Sequence, residues 1–154
     1  MSAAAALVFV GRLMLVALFM PSSVIDKTFG FAHAVRQAQE VFKPRALAVG
    51  AILIGLIVEL VCSLGILTGV ADRACAFVIG GFCLLTAFLF KPFWAQGDFW
   101  ADPDGRGRSL FWDFMKNLSL AGAFLLIVVG TDGAGLAPFL DSPLASSQPY
   151  RTHP

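Results

Sequence analysis

The chain has 154 residues, of which 58% are hydrophobic and only 14% are charged, and its mean hydropathy is +0.80. A soluble domain of this length needs a polar surface that this composition does not supply, so we expect an integral membrane protein in contact with lipid. The net charge is +1, and the Lys and Arg residues are scattered between apolar runs. This pattern gives no electrostatic case for nucleic acid as a partner.

Four apolar runs predict four membrane-spanning helices. The run at residues 46–70 would be about 37 Å long as a helix, which exceeds a bilayer core of ~30 Å. We therefore predict an all-α, up-down four-helix membrane bundle. The predicted spans are residues 3–24, 46–70, 74–90 and 114–130.

The segments outside the spans predict two further features. Phe31, Ala34, Val35 and Ala38 recur at helical spacing between the first two spans, which indicates a short helix lying in the membrane interface. We assign residues 1–131 to the transmembrane domain. Residues 132–154 are dominated by Gly, Pro, Ser and Asp, so we predict an extended or disordered tail.

The basic residues predict an orientation in the membrane. Four spans put both termini on one side. Seven Lys and Arg residues lie in the first and third connections, against two in the second connection and the tail. The positive-inside rule then places both termini outside the cytoplasm, and we expect a bacterial inner membrane.

Two charges fall near the middle of predicted spans, Arg12 in the first and Glu59 in the second. A charge at that depth is costly, by roughly 2.5–3.5 kcal/mol on insertion scales. Since the two spans are antiparallel neighbours, we predict that the two side chains pair, with Lys116 and Asn117 of the fourth span completing a buried polar constellation. This constellation is either a structural ion pair that fixes helix register or a working site for a quinone head group or a proton relay. A third alternative is that Arg12 and Glu59 face different partners, including other subunits.

The third connection contains all three tryptophans, Trp94, Trp100 and Trp112. Such a cluster is typical of an aromatic belt at the membrane interface, and the alternative is the wall of a ligand or partner surface. No metal site is predicted, because His33 stands alone in the first connection and His153 in the tail. The sequence also lacks paired intramembrane histidines for haem, a phosphate-binding loop, and a nucleophile with a base at a credible spacing.

Four stretches together resemble the DoxX family of small four-span membrane proteins (DoxX/DoxD-like). They cover most of the chain between residue 11 and about residue 130, and the last is the most specific. They are GRLMLVALFMPSSVIDKTFGF, GLIVELVCSLGILTG, AFLFKPFW and FWDFMKNLSLAGAFLLI.

The resemblance implies a subunit of a quinone-linked membrane oxidoreductase system, since DoxD/DoxA-type relatives are linked to thiosulfate:quinone oxidoreduction. It implies a quinone as the candidate cofactor, with no covalently bound group, and other membrane subunits as partners. It assigns no catalytic residues, and Arg12, Glu59, Lys116 and Asn117 are the positions that look like the family's polar motif. The alternative function is a non-catalytic accessory subunit packed against a larger membrane complex.

Overall fold

The computed structural model describes residues 2–130 and 135–151. Within these ranges the chain is helical without any strand, and four helices are long and apolar enough to cross a membrane. The predicted all-α fold with four spans is confirmed. We number the spans in chain order. They are Ala3–Phe29, Arg45–Thr68, Asp72–Phe90 and Arg106–Val129.

Consecutive spans are antiparallel and form a bundle with two distinct ends. The terminal end contains the start of span one, the turn between spans two and three, and the C-terminal segment. The loop end contains the other two connections. Gly69 ends span two with a φ of 77°, a left-handed conformation that favours glycine and lets the chain reverse within three residues.

Span one is longer than predicted and is interrupted. It consists of α1 (Ala3–Val16), α2 (Phe19–Val24) and a π-helical turn (Ile25–Phe29). The α-helical pattern breaks at residues 17–18. Pro21 explains the break, because it lacks an N–H and its ring crowds the carbonyl of Ala17, one turn earlier. The span then continues past the predicted end at residue 24, which brings Lys27 into it.

The predicted helix between spans one and two is α3 (Phe31–Ala38). Its apolar face is the predicted one: Ala34, Val35 and Ala38 are buried, and Val35 and Ala38 pack with Ala48 at the start of span two. His33 is exposed on the opposite face. The burial of this small apolar stripe fixes α3 against the loop end of the bundle.

Span two is α4 (Arg45–Thr68), span three is α5 (Asp72–Phe90), and span four is α6 (Arg106–Val129). Span four begins eight residues before the predicted start at 114 (114 − 106 = 8). The charged residues of this first part lower its hydropathy, so the apolar run alone did not indicate that the helix begins there. Asp98 accepts a hydrogen bond from the backbone N–H of Gly107 at 3.1 Å and so satisfies one free donor of the first turn.

The main core lies in the terminal half of the bundle, where all four spans meet. Phe124 of span four is fully buried, and its ring lies 5.7 Å from that of Phe19 in span one. Cys62 and Cys83 are free thiols in this core, as expected for small buried residues.

The C-terminal segment returns to the terminal end of the bundle. A short helix, α7 (Ala137–Asp141), places the ring of Phe139 5.2 Å from that of Phe77 in span three. Residues 142–151 then lie across the turn between spans two and three. The rest of the predicted tail, residues 132–134 and 152–154 with His153, lies outside the described residues.

Candidate functional site

A buried ion pair joins span one to span two near the middle of the bundle. The Lys27 ammonium contacts one carboxylate oxygen of Glu59, and the hydroxyl of Ser23 donates to the other. Glu59 is 5% exposed and Ser23 is fully buried. Both carboxylate oxygens therefore have a partner, which offsets much of the cost of holding a charge at this depth.

The π-helical turn gives Lys27 its position. It brings the ammonium toward Glu59 and also 5.3 Å from the centre of the Phe82 ring in span three. Gly55 faces both groups, since a Cβ on that glycine would lie 3.2 Å from the Phe82 ring and 3.4 Å from Lys27 Nζ. A single π-helical turn within a helix is frequently found at a functional site.

The Lys27–Glu59 pair lies at the inner end of a cavity of about 800 Å³. The cavity reaches from Glu59 and Asn117 to the loop end, where Glu40 and Arg106 lie 3.8 Å apart. Its walls are mostly apolar and come from all four spans and α3. They include Leu18, Phe19, Ile52, Phe82, Leu89 and Leu110.

A second buried network lies nearer the terminal end. Arg12 Nη1 is 2.7 Å from a carboxylate oxygen of Asp72 and donates to the carbonyl of Ile66 at 2.8 Å. Ser147, from the C-terminal segment, donates its hydroxyl and its backbone N–H to Asp72 and accepts from Arg12 Nη2 at 3.1 Å. Asp72 is fully buried as a result.

Tyr150 fastens the same segment to span two. Its hydroxyl donates to the carbonyl of Leu67, and its ring lies 6.2 Å from that of Phe9. Burial raises the pKa of the Tyr150 hydroxyl above its ordinary value. The tail is thus part of the structure that shields Arg12 and Asp72 from solvent.

The prediction that Arg12 pairs with Glu59 is wrong. Arg12 meets span two at Ile66, seven residues beyond Glu59 (66 − 59 = 7), which is about 10 Å along a helix. The prediction failed because span one extends to Phe29, so its middle is nearer to Leu18 than to Arg12. Each charge instead meets an oppositely charged residue that lay outside the predicted spans, Asp72 and Lys27.

The other predicted site residues have separate positions. Asn117 lines the cavity that ends at Glu59. Lys116 is on the neighbouring side of span four, with 72% of its side chain exposed and Asp113 at 3.3 Å. Trp112 and Lys116 line an outer groove, whereas Trp94 and Trp100 lie exposed at the loop end beside a cluster of phenylalanine rings.

Four residues of the two networks were missed at the sequence level: Ser23, Lys27, Asp72 and Ser147. Lys27 and Asp72 carry a usable signal, because each is a charge within one turn of a predicted span and opposite in sign to a buried charge of a neighbouring span. Ser23 and Ser147 carry none, since buried and exposed serines look alike in a sequence.

The chemistry available at the inner end of the cavity is hydrogen bonding beside a neutralised ion pair, and Asp26, Glu40, Lys91 and Arg106 also line the cavity. Lys27 supplies a cationic donor, Glu59 an acceptor, and Asn117 both kinds of group. Among residues 2–130 and 135–151, no group of His, Cys, Asp and Glu side chains could hold a metal ion.

Comparisons with known proteins place this architecture in a family. The DoxX family profile matches residues 7–92, which contain Arg12, Lys27, Glu59 and Asp72. The chain is also similar to the inner membrane protein YqjF of Escherichia coli (strain K12), with 39% identity over 79 residues. That alignment covers 51% of this chain and 52% of the relative, so the chain matches about half the length of the curated protein. No solved structure shows a significant match.

Proposed function

Because the chain belongs to the DoxX family of integral membrane proteins, we propose that it is the quinone-binding membrane subunit of an oxidoreductase system. The observation that carries the proposal is the apolar cavity with the Lys27–Glu59 pair at its inner end. A volume of about 800 Å³ is within the usual range for small-molecule sites. A few polar groups converge at its inner end, as such sites require to orient a ligand.

The residues present fit a quinone ring. The ring is flat and apolar on both faces, and its carbonyl oxygens accept hydrogen bonds. Lys27 and the amide of Asn117 are the donors that would hold those oxygens, and Phe82 and Leu110 would contact the faces of the ring. A bound quinone supplies the redox chemistry, while electrons come from a partner subunit.

Glu59 has two roles in this proposal. It holds the Lys27 ammonium at the inner end of the cavity. It is also a carboxylate beside the proposed quinone position, where it would exchange the protons that accompany quinone reduction and oxidation. Ser23 keeps the second carboxylate oxygen in place. The pair has no net charge, which suits an uncharged ring better than an anion.

The test is quinone binding by the purified chain in nanodiscs, measured by calorimetry for wild type, Glu59→Gln and Asn117→Leu. We expect a drop in affinity of about tenfold for Asn117→Leu, because an unpaired carbonyl in an apolar site is costly. Thr86→Val is the matched control. Thr86 also lines the cavity, but its hydroxyl already donates to the carbonyl of Phe82 at 2.9 Å, so affinity should not change.

The accessory-subunit alternative predicts a different result. A chain that serves only as scaffold would bind no quinone, and a co-purifying oxidoreductase would retain its turnover when this chain is removed. Quinone binding that is equal in wild type, Glu59→Gln and Asn117→Leu would also contradict the proposed site.

The proposed location is the bacterial inner membrane, with both termini outside the cytoplasm. The name of the relative and the excess of Lys and Arg at the loop end over the terminal end support it. In this orientation the cavity's loop end faces the cytoplasm. Reporter fusions at residue 151 and in the connection after Phe90 test it, and a cytoplasmic signal from the first fusion would reverse the assignment.

A further inference from the structure

A second, shallower depression lies on the outside of the bundle, next to the cavity. This outer groove has a volume of about 470 Å³. One side of span four forms most of it, through residues that recur every three or four positions, and Leu18 of span one closes it. The span-four residues are Trp112, Met115, Lys116, Ser119 and Leu120.

Leu18 lines both the outer groove and the inner cavity, so its side chain borders both spaces. Leu18 is also 59% exposed and sits at the break between α1 and α2. Phe19, the next residue, has its ring 5.7 Å from that of Phe124 in span four. The outer groove therefore lies where spans one and four border each other on the outside of the bundle.

Counted in residues, the groove lies near the middle of spans one and four. Leu18 is near the middle of Ala3–Phe29, and Met115 to Leu120 are near the middle of Arg106–Val129. Apart from Lys116 and Asp113, the large exposed side chains of both spans around it are apolar, as a lipid-facing surface requires. A molecule dissolved in the bilayer can therefore reach the groove without passing through water.

We propose that the gap between spans one and four is a lateral portal, and that the outer groove binds the apolar chain of the ligand whose head occupies the cavity. This inference rests on the proposed function and deepens it. It names the ligand class as a long-chain amphiphile with a small uncharged ring, entering from the lipid.

The chemistry of the two spaces supports this occupant. The inner end presents a neutralised pair, Lys27 and Glu59, which matches an uncharged polar head. The groove presents Leu18, Met115 and Leu120, which match a hydrocarbon chain. A water-soluble ligand would gain nothing from an apolar groove at mid-membrane depth.

The experiment compares two ring-identical quinone analogues, one with a decyl chain and one with a methyl group, by calorimetry on the full chain in nanodiscs. Wild type should bind the decyl analogue more tightly, because each methylene buried in the groove adds to affinity. Ser119→Trp fills the groove without touching the cavity. It should weaken the decyl analogue by about tenfold and leave the methyl analogue within about twofold. Leu18→Trp should also weaken the decyl analogue, because the larger side chain fills the place where the groove borders the cavity.

Leu126→Trp is the control, since Leu126 is 66% exposed on span four and lines neither space. Unchanged decyl affinity in both Ser119→Trp and Leu18→Trp would overturn the portal, even with quinone binding intact. Equal weakening of the two analogues by Ser119→Trp would overturn it as well. If wild type bound neither analogue, the proposed function itself would fail, which is a separate and recognisable result.

Discussion

Lys27 in the π-helical turn of span one contacts Glu59 in the middle of span two, and the two side chains are 15% and 6% exposed. This pair closes the inner end of the cavity and links the two spans across 32 positions of sequence. Removing one member leaves the other charge buried without its partner, which typically costs more than removing both.

We therefore expect Lys27→Met to lower the free energy of unfolding by roughly 3–5 kcal/mol, and Lys27→Met with Glu59→Gln to lose less than the sum of the single changes. Thermal unfolding in detergent compares wild type, the two single variants and the double variant. Lys116→Met, which removes an exposed lysine from span four, is the control and should have little effect. Additive losses would show that the contact contributes nothing to stability.

The C-terminal segment provides a second prediction. Ser147→Ala removes two side-chain contacts of the Arg12–Asp72 network, and we expect a loss of about 1–3 kcal/mol, because Arg12 Nη2 loses its buried acceptor and Asp72 loses one of its donors. Gln148→Ala is the matched neighbour, since Gln148 is bonded by its side chain to Arg151 at the surface. Ser147→Ala should be cleaved faster in limited proteolysis and should unfold at a lower temperature than Gln148→Ala. Equal stability would mean that the segment does not shield the network.

Tyr150 gives this segment a predictable response to pH. Burial raises the pKa of its hydroxyl, so the protonated form is the one that the fold stabilises. The contribution is fully present below the unfolded pKa of about 10 and is lost as pH rises through the higher folded pKa. The difference in melting temperature between wild type and Tyr150→Phe should be constant from about pH 7 to 9 and shrink only above pH 10. A difference that disappears near neutral pH would contradict the assignment.

Hydropathy was sufficient for the four spans, because apolar runs of this length have few alternatives to crossing a membrane. It did not identify the charged residue at the end of a span that completes each of the two polar networks. Lys27 and Asp72 are charges, so a hydropathy reading leaves them outside the spans, although span one extends through Lys27 and span three begins at Asp72. Arg12 and Glu59 were predicted to pair because each lay near the middle of its predicted span. Since the predicted first span was too short, its middle was misplaced, and the wrong partners were assigned.

Two glycines at the end of span two show a similar limit of inferring structure from a sequence pattern. Gly65 and Gly69 form a G-x-x-x-G pattern, but the two have different tasks: Gly69 ends the helix, while Gly65 lets Cys75 approach span two. A Cβ on Gly65 would overlap Cys75 Sγ and lie 3.0 Å from the carbonyl oxygen of Val70.

Gly65→Ala should therefore destabilise the bundle by about 1–3 kcal/mol through overpacking. Gly81→Ala is the control, since a Cβ there meets nothing within 4 Å and the residue is helical, so it should be neutral or stabilising. Circular dichroism melts in detergent compare the two. A neutral Gly65→Ala would mean that the turn between spans two and three can shift without cost.

The last prediction separates the two polar networks. Arg12 and Glu59 contact different partners, and their attachment points on span two are about 10 Å apart along the helix axis. Effects of changes at that distance without shared partners usually add within about 0.3–0.5 kcal/mol. Arg12→Met and Glu59→Gln should then destabilise additively, whereas Arg12→Met and Asp72→Asn should not, because those two side chains share a contact. The measurement is the free energy of unfolding for both cycles under one detergent condition.

Quinone affinity provides an independent readout: it should fall with Glu59→Gln and stay unchanged with Asp72→Asn, since Asp72 lines no part of the cavity. Strong coupling between Arg12 and Glu59 would show that the networks act as one unit, and the terminal end would then have to be treated as part of the quinone site.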